Sequence, residues 1–387
     1  MPERLSPRAI LERLVAFPTV SHASNLDLID WVESYLAGHG ITAHRHWNEV
    51  GDKAALYAHV GPEVEGGVIL SGHSDVVPVE GQDWSSDPWQ VTERDGKLYG
   101  RGTTDMKGFD ALAIWALVEA RHAGIERPLQ LALSYDEEVG CTGAPPLIAA
   151  MSGLPRASAV IVGEPTGLSP VTGHKGGVTY KVHVQGFEVH SSILHRGVSA
   201  IMWGTKLIEW ANGVNDANLA ATPGPLAAAF DPPCTNLHVG QIRGGTAHNI
   251  TAKYCTFGLG ARVVPGETLD QWRGKIEAAA REIEGRMQAV RPEARIAMAE
   301  TFSLPVFVPE ENGEAERLVR RITGENGPAG AVSFGTEASH FQAAGYSAVV
   351  CGPGDIAVAH QPDEYITQAQ FQAGEAFMTR LVETLSG

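Results

Sequence analysis

Three times in this chain a short apolar run stops and the next residues are acidic or histidine. VILSGHSD ends one run and delivers His73 and Asp75. LQLALSYDEE ends another and delivers Glu137 and Glu138. AVIVGEP ends a third and delivers Glu164. Short, continuously apolar runs that alternate with helical patterns read as strands of a largely parallel sheet covered on both faces. In such sheets ligand sites form outside the carboxyl ends of the strands. Three separate strands therefore each set a metal-type side chain at one edge, which points to an α/β fold and places the candidate site.

Around that edge the spacing is informative. His73 and Asp75 are two residues apart, so in extended chain they share a face and the carboxylate can reach the ring. A carboxylate partner fixes the tautomer of a metal-ligating imidazole. The segment GRGTTDMKG puts Asp105 in a glycine-flanked loop ahead of an apolar helix over 110–123, and AHQPDE delivers His360 after a strand over 348–351. His73, Asp105, Glu138, Glu164 and His360 are thus the candidate ligands. Two imidazoles and three carboxylates suit zinc, or cobalt or manganese in its place. Five donors exceed what one tetrahedral ion with an open position needs, and suit two ions sharing a carboxylate. That leaves Glu137 over as a general base. The exchange of roles, with Glu137 as ligand and Glu138 as base, is equally compatible with the spacing.

The rest of the chain frames this site. Ser6 and Pro7 are a helix N-cap and first helical residue for 6–15, and a second helix is expected over 26–38. A strand is expected over 54–60. A long loop over 79–95 carries Trp84 and Trp89, which suit either a functional loop or aromatic plugs. From 177 the pattern changes to strand 178–185, helix 198–210, strands 236–242 and 252–262, helix 269–287 and strand 294–299. That order, β-α-β-β-α-β, is ferredoxin-like and self-sufficient. We therefore expect a first α/β segment over 1–175, an inserted α+β domain over 176–302, and a return to the α/β domain over 303–387, with helices over 311–323 and 368–384.

Composition narrows the function classes. Lys+Arg 29 against Asp+Glu 45 gives a net charge of −16, which argues against nucleic-acid or anionic-membrane partners. No apolar run approaches the roughly 18 residues that span a bilayer. The first seventeen residues read as amphipathic helix, so no signal peptide is expected. Cys141, Cys234, Cys255 and Cys351 are scattered without a CxxC pair, so neither a disulfide framework nor a thiolate metal site is suggested, and a reducing cytoplasm is expected. HExxH, GxSxG and GxxxxGK[ST] motifs are absent.

Taken together, SGHSDVVP, GRGTTDMKG, SYDEEVG, VGEPT and AHQPDE resemble the di-zinc exopeptidase and deacylase family, whose members include acetylornithine deacetylases, succinyl-diaminopimelate desuccinylases and glutamate carboxypeptidases. LSGHSDVVPVEGQDWSSDPW, GHKGG and VVCGPGDIAVAHQPDEY look most like the acetylornithine deacetylase branch. The resemblance implies a mostly parallel-sheet hydrolase domain with two Zn²⁺ per subunit, for which Co²⁺ can substitute, and an inserted dimerisation lid that makes a homodimer. It implies a small N-acyl amino acid as substrate. By the same resemblance His73 and Glu164 hold one ion, Glu138 and His360 the other, and Asp105 bridges them ahead of a cis peptide. Glu137 is then the base and Asp75 the partner of His73. GFEVHSSILHRGVSA resembles a family segment whose histidine, here His190, hydrogen-bonds the oxyanion in a neighbouring subunit. Leu194 and Ser199 depart from that segment's usual Pro and Asn. Asn249, Arg262, Gly335 and Thr336 fall at substrate-binding positions, with Arg262 suited to a carboxylate. Lys175 receives no role.

Overall fold

A computed structural model describes residues 3–387. The chain divides into two compact units. Met1–Thr172, Pro309–Gly330 and Thr336–Gly387 form the larger, and Gly173–Val308 with Ala331–Gly335 the smaller.

The larger unit is built on a sheet whose central strands, Leu129–Ser134, Gly67–His73, Ala157–Pro165 and Ala348–Gly352, are parallel neighbours in that order. The first two are buried at every position, as parallel strands covered on both faces require. Ala54–Val60 and Ala43–Trp47 extend one edge antiparallel. The α/β architecture with a mostly parallel sheet is thus as the sequence led us to expect. Ala43–Trp47 escaped the sequence reading because its burial does not alternate, so no period-2 pattern marks it.

Helix Lys107–Ala123 packs on the strand Gly67–His73 and against helices Pro7–Val15 and Gln368–Leu385. Ser6 caps Pro7–Val15 through its hydroxyl, which accepts from the Ala9 amide at 3.2 Å. Gly163 is required by this packing. A Cβ there would sit inside the ring of Phe109, which projects from the helix onto the sheet. A ring cannot step aside as a flexible chain end can, so Gly163→Ala is expected to cost about 1–3 kcal/mol, measured as a lower denaturation midpoint in urea.

In the smaller unit the strand Gly176–Gln185 lies between Tyr254–Val263 and Arg295–Leu304, both antiparallel to it. Helices Ala200–Ala220 and Leu269–Gln288 pack on this sheet, the second opened by a capping box of Thr268 and Gln271. The strand expected over 236–242 is two short ones, Asn236–His238 and Ile242–Gly244, both paired with Tyr254–Val263. His238 faces Gly260 and Ile242 faces Phe257. Four steps on one side thus span three on the other, and that extra residue is a bulge that interrupts the strand.

Candidate metal centre

The candidate side chains stand within, at or after the carboxyl ends of the central strands. Gly67–His73 ends on His73, which is 1% exposed. Its Nδ1 lies 2.9 Å from the backbone carbonyl of Asp75. Nε2, the other ring nitrogen, lies 3.2 Å from Asp105 Oδ1 and 3.7 Å from Glu164 Oε1, and with Nδ1 held by the carbonyl it is the nitrogen placed to meet a cation. Glu164 lies within Ala157–Pro165 rather than after it, because that strand runs on past its apolar stretch.

Asp75 does more than face His73. Its carboxylate stands 3.6 Å from His73 Nδ1 and spends its hydrogen bonds elsewhere. It accepts from the backbone amides of Glu137 at 3.1 Å and Glu138 at 3.4 Å, and from Ser21 Oγ at 2.8 Å. The main-chain carbonyl of Asp75 takes the close contact with His73 Nδ1 and its carboxylate adds an ion pair at 3.6 Å, while the same carboxylate holds the turn that presents Glu137 and Glu138.

Asp105 lies between two imidazoles. Oδ1 faces His73, and Oδ2 is 3.1 Å from His360 Nε2. His360 Nε2 is also 3.0 Å from Glu138 Oε2. The peptide after Asp105 is cis. Two groups have donor atoms all within 4.8 Å of one another, His73 with Glu137 and Glu164, and His73 with Asp105 and Glu138. His360 meets the second group through Asp105 Oδ2 and Glu138 Oε2.

The electrostatics are those of crowded buried carboxylates. Burial, then the charges of Glu138, Asp105 and Glu337, raise Glu137 to about 8. Burial and the neighbouring carboxylates push Glu164 well above the usual range. Burial works against a charged His73, but its hydrogen bond to Asp105 and the surrounding carboxylates outweigh that and raise it. Hydrogen bonds to Asp105 and Glu138 raise His360 to about 10. In the absence of cations this cluster retains protons to relieve its own repulsion. Glu138 Oε1 is buried without a hydrogen-bond partner. An orphaned carboxylate oxygen in a set of N and O donors is what a pair of divalent cations would satisfy.

Three charged groups that the sequence reading left unassigned support this centre. Glu337 is buried and accepts from Ser71 Oγ at 3.2 Å and from Ser134 Oγ. It ties together the two strand ends that carry His73 and the Glu137 turn. Glu364 and Arg101 form a buried pair at 2.7 Å. Glu364 also accepts from the amides of Gly102, Thr104 and Asp105 at 3.1, 2.9 and 3.0 Å, which fixes the Asp105 loop. A buried acid following a ligand motif, as in AHQPDE, was the available signal.

The remaining candidates lie elsewhere in the chain. Thr336 is buried in the larger unit beside Glu337. His190, Asn249, Arg262 and Gly335 belong to the smaller unit. There His190 and Asn249 are neighbours: Ser191 N donates to Asn249 O at 2.9 Å, and His190 bridges to Ile250. His190 is exposed, with its ring 2.8 Å from Ser192 Oγ. Arg262 is exposed on Tyr254–Val263, 5.6 Å from the Phe302 ring. Lys175 donates to the carbonyls of Pro232 and Cys234 at 2.8 and 3.2 Å.

Residues 69–384 match the family model for peptidase family M20/M25/M40. An acetylornithine deacetylase from Myxococcus xanthus is 36% identical over 392 residues, covering 98% of this chain and 97% of its own. Among solved structures, the M20 family metallo-carboxypeptidase Sso-CP2 from Sulfolobus solfataricus superposes with a TM-score of 0.76 at 15% identity, covering 99% of each chain. Aminopeptidase PepT from Bacillus cereus superposes with a TM-score of 0.74 at 16% identity, covering both chains in full. The chain belongs to peptidase family M20/M25/M40 and is a hydrolase of amide bonds.

Proposed function

We propose that the protein is an acetylornithine deacetylase, converting N2-acetyl-L-ornithine and water to acetate and L-ornithine, a step of arginine biosynthesis. The observation that carries the chemistry is the placement of Asp105, one carboxylate oxygen toward His73 and the other toward His360. The substrate rests on the Myxococcus relative.

In this reading His73 and Glu164 hold one Zn²⁺, Glu138 and His360 the other, and Asp105 is shared. Co²⁺ can take the place of zinc. When bound, the two cations supply Lewis acidity toward the acyl carbonyl and acidify water at the site. Glu137, half-buried and held at its backbone by Asp75, accepts the proton of the attacking water and returns it to the departing α-amine. Asp75 keeps the Glu137 turn and the His73 ring in register. His190 donates a hydrogen bond to the developing oxyanion from the neighbouring subunit of a homodimer. Arg262 and Asn249 bind the substrate carboxylate, with Gly335 and Thr336 in the substrate loop. We place the enzyme in the cytoplasm on its free thiols. Among the described residues no helix is long and apolar enough to cross a membrane.

The test is hydrolysis of N-acetylornithine beside N-succinyl-diaminopimelate by chelator-stripped protein, with and without added Zn²⁺ or Co²⁺. Metal-dependent release of ornithine, with the succinyl compound inert, is the expected result. Cleavage of the succinyl compound alone would make the protein a desuccinylase with the same centre. Activity confined to other N-acyl amino acids or dipeptides would remove the ornithine assignment.

A further inference from the structure

His360 is the least sheltered of the proposed ligands. Its side chain is 51% exposed. Its backbone, with φ 62°, occupies the left-handed region, and so does that of Asp363, with φ 57°. His and Asp adopt this region more readily than most non-glycine residues, but two of them in one short turn still carry a backbone cost. They persist only where surrounding contacts over-determine them.

Those contacts come from the 79–95 loop. Gln82 Nε2 donates to the His360 carbonyl at 2.9 Å. The Ser85 amide and hydroxyl both donate to Asp363 Oδ1, at 2.8 and 3.0 Å. Gln82 is itself held, since its Oε1 accepts from Arg101 Nη2 at 2.5 Å and from Trp84 Nε1 at 3.1 Å. The Trp84 ring lies 5.0 Å from the Arg101 guanidinium. Arg101 also donates to the Gln361 carbonyl at 3.3 Å and pairs with Glu364, which holds the Asp105 amide. A continuous line of hydrogen bonds thus runs from the Asp105 backbone through Glu364, Arg101 and Gln82 to the His360 backbone. It links the two residues whose side chains meet at Asp105 Oδ2.

We propose that the 79–95 loop is a positioning brace for His360, acting through Gln82 and Ser85, and that it sets the affinity for the cation held by Glu138 and His360. The proposal rests on the two-cation reading given above. None of these loop residues is among the proposed ligands, so their effect runs through the His360 backbone. His73 and Glu164 are held by strands of the central sheet, and the Asp105 end of the line is pinned independently by Glu364, which accepts from the Gly102, Thr104 and Asp105 amides. Loss of Gln82 therefore falls on His360 and its cation, and reaches the other cation only through the shared Asp105.

The test is titration of chelator-stripped protein with Zn²⁺ against a competing chromophoric chelator, for the unaltered protein and for Gln82→Ala and Gln82→Glu. Gln82 lies in a half-buried loop, so both variants are expected to fold, which a thermal melt checks. The unaltered protein is expected to take two Zn²⁺. Gln82→Ala is expected to keep one at unaltered affinity and to bind the second about 10–100-fold more weakly. Its kcat falls at limiting Zn²⁺ and recovers in excess, with KM unchanged. Gln82→Glu retains the acceptor for Arg101 and Trp84 but cannot donate to the His360 carbonyl, and is expected to lose the second ion as the alanine variant does. Two affinities within twofold of the unaltered protein in Gln82→Ala would overturn the proposal. So would equal weakening of both ions, or an unaffected Gln82→Glu. An unaltered protein that binds fewer than two Zn²⁺ would take the two-cation reading down, and the brace with it.

Discussion

Glu137→Ala and Glu137→Gln are each expected to lower kcat on N-acetylornithine by about 10²–10⁴-fold while bound zinc stays at two per chain. The carboxylate is placed for proton transfer. It lies beside the His73 and Glu164 donors, and the Asp75 carboxylate holds its backbone amide at 3.1 Å. A carboxylate fixed beside the attacking water can take its proton and return it to the leaving amine. Glutamine keeps the shape and loses that capacity, so the two variants should fall together with KM little changed. The matching control is Glu138→Gln, which removes a proposed ligand and should release one metal. Turnover and metal content measured on the same samples separate the two roles. If Glu137→Gln lost a metal and Glu138→Gln kept both, the assignments would have to be exchanged, the alternative that spacing alone left open.

The sequence made the polar edge of the sheet legible because strand ends are a local signal. An apolar run stops, and the next side chains must lie at the carboxyl edge. That logic put His73, Glu137, Glu138, Glu164 and His360 forward as candidates and needed no knowledge of how the strands were ordered. It failed where a role depends on a distant partner. Glu337 matters because Ser71 and Ser134, more than 200 residues earlier, meet its two oxygens, and no periodicity records that meeting. Asp75 was read from its spacing to His73, yet its carboxylate is satisfied mainly by the Glu137 and Glu138 amides, 62 and 63 residues away. The backbone carbonyl of the same residue takes the ring, and main-chain acceptors leave no trace in residue types. In the smaller unit the two-helix, antiparallel-sheet pattern was readable from alternation. The bulge at 239–241 was not, because it is a register slip against the facing strand. The aromatic loop over 79–95 was left between two readings. Trp84 serves both, as a cover on Arg101 and as a donor to Gln82.

Removing the metals should destabilise the protein by an amount that grows as pH rises from 5 to 7. In the metal-free fold Glu137 is raised to about 8 and Glu337 to about 7, and Glu164 and Asp110 lie well above the usual carboxylate range, with burial the largest cause in each. The same groups in the unfolded chain ionise near their ordinary values of 3.8–4.5. Between those values the folded state binds more protons than the unfolded one, so stability falls as pH rises. Their contribution is complete below about 4.5 and is lost as pH climbs through the folded values. His340, pushed down to about 4 by burial, and His39, also lowered by burial, work in the opposite sense up to their ordinary 6.5, but Glu138, Glu364 and Asp136, each raised chiefly by burial, join the four carboxyls on the other side. Bound cations take the place of the retained protons, so metal affinity increases with pH. At a hundredfold excess over Kd one cation adds about 2.7 kcal/mol to stability. Thermal melts of stripped and zinc-loaded protein at pH 5, 6 and 7 should therefore diverge, the stripped Tm falling while the loaded Tm holds. Glu137→Gln removes one titrating carboxyl and should flatten the stripped profile. A gap that stays constant across this range would mean that the carboxylates are already ionised without metal, and that something other than retained protons balances their charge.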